Sequence, residues 1–218
     1  MAMRVDGCEV PWELCGELVA HDGPLTHAAL SRTLETHGYL LLRGALPTHH
    51  VEAAATEIFS RLQAEDEVEP PPRQRVATGR SARRANHPDL NAFWQGVCEG
   101  PALRRVSHGA ELGDAIGATM GEAARPFDLM YLRPTPRGEG TPPHADFTFF
   151  ATSPKDTAML NAWVPFTPIA IDEGPLMVIE RTHAIPELTR PLTEIEYVSK
   201  ETGGSPADAD RMTEIAYR

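Results

Sequence analysis

The residues with the plainest chemical content lie in one short run, Thr141-Pro142-Pro143-His144-Ala145-Asp146-Phe147. In a β-strand, side chains at i and i+2 leave the backbone on the same face. His144 and Asp146 would then project side by side. A neutral imidazole next to a carboxylate makes two corners of a facial metal site. Two histidines and one carboxylate, with three positions left open, suit non-haem iron(II) and its chemistry with dioxygen. Taken alone, the tripeptide fits an ordinary surface or core pair as well as a metal centre. Other chemistries find less support. There is no nucleophile elbow. The glycines from Gly109 to Gly121 have helical rather than phosphate-loop spacing. His21, His27, His37, His49, His50, His87 and His108 fall in expected helices or loops and read as solvent-facing or local hydrogen-bonding groups.

The elements that must position this run divide the chain in two. Pro24 opens a helix over 24–37, with Leu25, Ala28, Ala29 and Leu34 at helical spacing and Gly38 past its end. Tyr39-Leu40-Leu41-Leu42-Arg43 then reads as a short buried strand between glycines. A second helix runs from Pro47 to about Ala64, with Val51, Ala54, Ala55, Ile58, Phe59 and Leu62 on one face. Residues 65–88 break the periodicity. An acidic run leads into Pro70-Pro71-Pro72, and Arg73, Arg75, Arg80, Arg83 and Arg84 follow. That pattern predicts a loop, either a solvated one with balanced charges or one whose Arg80, Arg83 and Arg84 form a lid over an anionic substrate. Residues 89–120 read as two helices divided near Gly100-Pro101. From Phe127 onward short β-like runs take over: Phe127 to Arg133, His144 to Phe150, Ala158 to Pro165 and Pro175 to Ile179. Helices first and turn-separated strands later predict an α+β fold with a mainly β, jelly-roll core braced by N-terminal helices. The expected organisation is one domain over 1–218. Residues 1–125 form a helical part with a strand near 39–43, and residues 126–218 the first part of the jelly roll.

Composition narrows the function classes. A net charge of −11 argues against a nucleic-acid partner, because phosphate binding needs a basic face. No apolar run approaches the roughly 20 residues of a membrane span, and no signal peptide stands at the N-terminus. Three cysteines, Cys8, Cys15 and Cys98, imply free thiols and a reducing, cytoplasmic setting rather than a disulfide framework.

Two downstream stretches change the weight of the His-x-Asp run. Leu160-Asn161-Ala162-Trp163-Val164-Pro165-Phe166 comes first, then Asp172-Glu173-Gly174-Pro175-Leu176-Met177-Val178-Ile179-Glu180-Arg181-Thr182-His183. In order and spacing this resembles the phytanoyl-CoA dioxygenase family of iron(II)/2-oxoglutarate-dependent oxygenases. The helix, Gly38-to-Leu46 stretch and helix near the N-terminus agree with it. The resemblance implies a double-stranded β-helix (cupin-like) fold, with Fe(II), 2-oxoglutarate as cosubstrate, and O2. It implies hydroxylation of a small-molecule substrate as 2-oxoglutarate is decarboxylated to succinate. It assigns His144 and Asp146 as iron ligands and places Trp163 near the cosubstrate, with Leu129, or Tyr131 on the same face of its strand, as a further pocket residue. A carboxylate at Asp146 points to hydroxylation over halogenation, because a halide would need that coordination position vacant.

Two departures from the family pattern stand out. Glu180-Arg181-Thr182-His183 replaces the usual Pro-Gly-Ser-His. The distal metal histidine and the arginine that holds the cosubstrate's far carboxylate, with the closing strands, are expected beyond Arg218. His183 is a weaker candidate for the third ligand, since the family histidine at that place is structural. Two rival readings remain: a non-catalytic jelly-roll fragment or pseudoenzyme, and a cupin-like metalloenzyme that does not use 2-oxoglutarate. Substrate identity and oligomeric state are open at this level.

Overall fold

Four-residue spacing along one helix organises the core. Ala54, Ile58 and Leu62 lie on one face of α2 (Thr48–Ala64) and are buried at 0%, 6% and 7% exposure. They meet Leu103 and Val106 of α5 (Pro101–Ser107), Val97 of α4 (Leu90–Cys98) and Val68 from the connecting segment. Glu57 of α2 reinforces the α2–α5 contact. Its Oε2 accepts the Ala102 N–H at 2.9 Å and so satisfies one of the free donors at the start of α5. The computed structural model describes residues 2–5, 8–128, 130, 132, 144, 146 and 159–193.

Around this core, α1 (His27–His37) packs on α6 (Ala110–Met120), and α7 (Pro186–Thr193) follows near the C-terminal end of the described chain. The strands β1 (Ala2–Val5) and β2 (Cys8–Pro11) form an antiparallel hairpin that the sequence reading does not anticipate. Met130, Leu132, Val164 and Phe166 also pack on the helical core. Described residues before and after the His144 run thus touch the same core cluster.

The first helix starts later than predicted, at His27, because Thr26 is extended (φ −101°, ψ 149°). Gly38 ends it as expected. It sits at φ 82°, where only glycine is free of Cβ strain, and its N–H closes on the Leu34 carbonyl at 2.7 Å. The strand expected near 39–43 reduces to one parallel bridge between Leu41 and Ala20, with His21 N–H donating to the Leu41 carbonyl at 2.9 Å. A strand needs a ladder of partners, and the neighbouring loop provides a single rung. The two helices expected over 89–120 are three, because the chain leaves helical geometry at His108 and Gly109 before α6 begins.

The described parts of the four β-like runs from Phe127 to Ile179 contain no strand. Leu129, Tyr131 and Arg133 of the first run, and all of the His144–Phe150 run but His144 and Asp146, lie outside the described residues.

The 65–88 segment is an ordered excursion rather than a featureless loop. Val68 and Ala77 pair across it, Pro72–Gln74 forms a 3-10 turn, and α3 (Arg83–Asn86) closes it. Its anchor is Glu65, buried at 7% exposure. Glu65 accepts from Asn86 Nδ2 at 3.0 Å and bonds His87 Nε2 at 2.8 Å. The hydrogen bond from His87 holds the Glu65 carboxyl below the usual carboxylate range, against the opposing effect of burial. A carboxylate with a depressed folded-state pKa stabilises the fold above its unfolded pKa, and that contribution disappears as pH falls through the folded value. Glu65→Gln is therefore expected to cost about 1–2 kcal/mol at neutral pH. It should also flatten the acid limb of thermal stability measured by calorimetry. An unchanged acid limb would show that the Glu65 charge is not what ties α3 to α2.

Candidate metal centre

His144 and Asp146 are together. Nε2 of His144 donates to Oδ1 of Asp146 at 3.1 Å, with the two side chains 25% and 49% exposed. Two ligands at right angles on a first-row metal, with bonds of about 2.1 Å, stand about 3.0 Å apart. The pair is thus spaced as neighbouring corners of one coordination sphere. Binding a metal would require the shared proton to leave, so affinity would fall with acidity. Asp146 lies in a turn, and His144 is not in a strand. Their closeness therefore does not depend on the strand alternation from which it was expected. No group of three histidine, cysteine or acidic side chains with metal-holding geometry occurs among the described residues.

His183 meets a helix end through Nε2. Its Nε2 donates to the Glu35 carbonyl at 2.9 Å, in the last turn of α1. Arg181 N–H donates to the His37 carbonyl at 3.0 Å, and Glu180 Oε1 accepts from His37 Nδ1 at 2.6 Å. The last carbonyls of a helix have no partner within it, and here the 180–183 turn supplies partners from far along the chain. A Cβ at position 38 would overlap the His183 ring, so Gly38 also makes room for this docking. Nε2, its proton given to a carbonyl, has no lone pair for a metal, while Nδ1 of the same ring faces Gly38. The turn itself survives the sequence departure. Arg181 adopts φ 64°, ψ 13°, the left-handed conformation, at the position where the family pattern has glycine.

The preceding turn also forms. Gly174 takes φ 79° after the 3-10 turn Ile171–Glu173, and Glu173 Oε2 accepts the Ala170 N–H at 2.7 Å. Trp163 is 52% exposed, while its neighbours Val164 and Phe166 face the core. Leu129 and Tyr131 lie outside the described residues. Of the three arginines considered for a lid, Arg80 is held by Asp66, with Nε–Oδ2 at 3.0 Å and Nη2–Oδ1 at 3.4 Å. Arg83 and Arg84 line a cleft with Ser81, Leu90 and Trp94. No motif in the sequence points to the last three. They are separated by helix caps and turns, and only the packing of α3 against α4 joins them.

The phytanoyl-CoA dioxygenase (PhyH) family model matches residues 34–215, which includes both metal candidates and both turns. The chain belongs to the phytanoyl-CoA dioxygenase family. Membership makes an oxygenase the coarse functional class, in a family whose members typically depend on iron(II) and 2-oxoglutarate. No curated protein and no solved structure matches the chain. Among the described residues no helix is long and apolar enough to cross a membrane.

Proposed function

We propose that the chain is an iron(II)- and 2-oxoglutarate-dependent dioxygenase that hydroxylates a small-molecule substrate. The observation that carries this reading is the 3.1 Å approach of His144 Nε2 and Asp146 Oδ1 within the family-matching segment. Bound iron(II) supplies the oxidising chemistry: one oxygen atom of O2 goes to the substrate C–H bond and the other to 2-oxoglutarate, which leaves as succinate and carbon dioxide. The chain's own residues hold and tune that ion. His144 gives a neutral nitrogen donor, and Asp146 gives an anionic one that offsets one unit of the metal's charge. Because Asp146 fills a coordination position, the product is an alcohol rather than a halide.

On this reading the pair belongs to a double-stranded β-helix, and the third ligand comes from outside the described residues rather than from His183. Trp163 is an exposed apolar surface beside core-anchored neighbours, which suits a wall of the cosubstrate pocket together with Leu129 or Tyr131. The test is anaerobic addition of iron(II) and 2-oxoglutarate together. The expected result is the weak visible charge-transfer band of the chelate, appearing only when both are present. Absence of the band under saturating iron would reject the proposal for this chain and favour a non-catalytic module. Iron binding without any effect of 2-oxoglutarate would favour the cupin-like alternative.

A further inference from the structure

The ordered excursion between α2 and α4 closes a second site. A cleft of about 350 Å³ is lined by Ser81, Arg83, Arg84, Leu90 and Trp94. Arg83 is fixed in it. Its Nε lies 3.0 Å from Glu67 Oε1, and the Ser81 hydroxyl donates to that same oxygen at 2.5 Å. The guanidinium carbon stands 4.6 Å from the Trp94 ring centroid and 5.7 Å from that of Phe93. Held by an ion pair and two aromatic faces, the Arg83 side chain is only 21% exposed. Neither of its Nη groups has a hydrogen-bond partner among the described residues. Arg84 is the next residue and exposed, and its side chain has no hydrogen bond or ion pair among the described residues.

The ion pairs of the 80–84 stretch leave one of its three arginines over among the described residues. Arg80 is matched by Asp66, and Arg83 by Glu67. Arg84 has no ion-pair partner among the described residues and lies beside the preset donors of Arg83. Leu90 and Trp94 supply an apolar lining. A pair of guanidinium groups with free N–H edges over an apolar floor is the arrangement that recognises an organic anion. An arginine without an ion pair suits a single ligand carboxylate. In a chain of net charge −11 a dianion meets about twice the long-range repulsion of a monoanion.

We propose that this cleft binds a small carboxylate, its oxygens held between Arg83 and Arg84 and its hydrocarbon part lying on Leu90 and Trp94. Neither metal candidate lines this cleft among the described residues, and the proposal does not invoke iron. Double replacement of Trp12 and Trp163 by phenylalanine leaves Trp94 as the single tryptophan reporter of the three in the chain. That variant is titrated with hexanoate, hexyl phosphate and hexanol in low salt with chelator and no iron, and calorimetric titration of the unsubstituted chain gives a second measurement of binding. Hexanoate is expected to give a saturable signal that hexanol does not, with hexyl phosphate binding no tighter. Arg84→Ala, an exposed change, should weaken hexanoate at least about tenfold. No saturable binding of hexanoate by either measurement, equal binding of hexanol, or an unaltered affinity in Arg84→Ala would overturn the proposal. Tighter binding of hexyl phosphate would overturn the choice of carboxylate. Because no metal is present, failure here is distinguishable from failure of the oxygenase reading.

Discussion

Replacing His144 with alanine is expected to abolish the visible iron(II)–2-oxoglutarate band and to weaken iron binding by at least about 100-fold. Loss of supporting groups around a metal alone costs 10–100-fold, and a direct ligand contributes more. The expectation rests on geometry. His144 Nε2 faces Asp146 at 3.1 Å, so removing the imidazole leaves one carboxylate where two adjacent donors stood. The same substitution should leave thermal stability nearly unchanged, because neither residue belongs to the buried core. His183→Ala is the control that separates ligand from scaffold. It should keep the band and lower the melting temperature by about 2–4 °C, the equivalent of one lost hydrogen bond of about 1 kcal/mol to the end of α1. A band lost in His183→Ala and kept in His144→Ala would reverse the assignment of the two histidines.

The largest effect on stability is expected at Leu103. Its side chain is fully buried, in the seam where α5 meets the Ala54–Ile58–Leu62 face of α2. Truncation to alanine removes buried methyl groups and leaves a cavity that two helices, tied by the Glu57 cap, cannot close. The cost should be about 3 kcal/mol within the range of 2–5 for such changes. For a chain of this size that is a fall of about 6–12 °C in the melting temperature, read by calorimetry. Ile179→Ala is the contrast. Ile179 is 65% exposed, and its truncation should shift stability by less than about 0.5 kcal/mol. A Leu103→Ala protein melting with the parent would mean that the α2–α5 seam is not the centre of the fold.

Much of this was legible in the linear chain because it is local. The α2 face at 54, 58 and 62 follows from the 3.6-residue period, and the stop at Gly38 from the one residue type that takes φ 82° without strain. Family membership followed from motif order, since His144-Ala145-Asp146, the Trp163 stretch and the Gly174-Pro175 turn recur at set intervals along the backbone. Other features are properties of pairs of distant segments, which no local period encodes. The strand near 39–43 needed a partner ladder and met a single bridge from Ala20. His183 carries the same side chain wherever it lies, and only the arrival of α1's free carbonyls gave its Nε2 a partner. The five arginines after the proline run look alike in sequence. Folding paired Arg80 with Asp66 and Arg83 with Glu67 and left Arg84 without a partner among the described residues, at a cleft with Trp94. Residue types and spacing determined which chemistry this protein could carry. The tertiary contacts decided which of those side chains were already spoken for, because a hydrogen bond or ion pair is settled by distance in space rather than by distance along the chain.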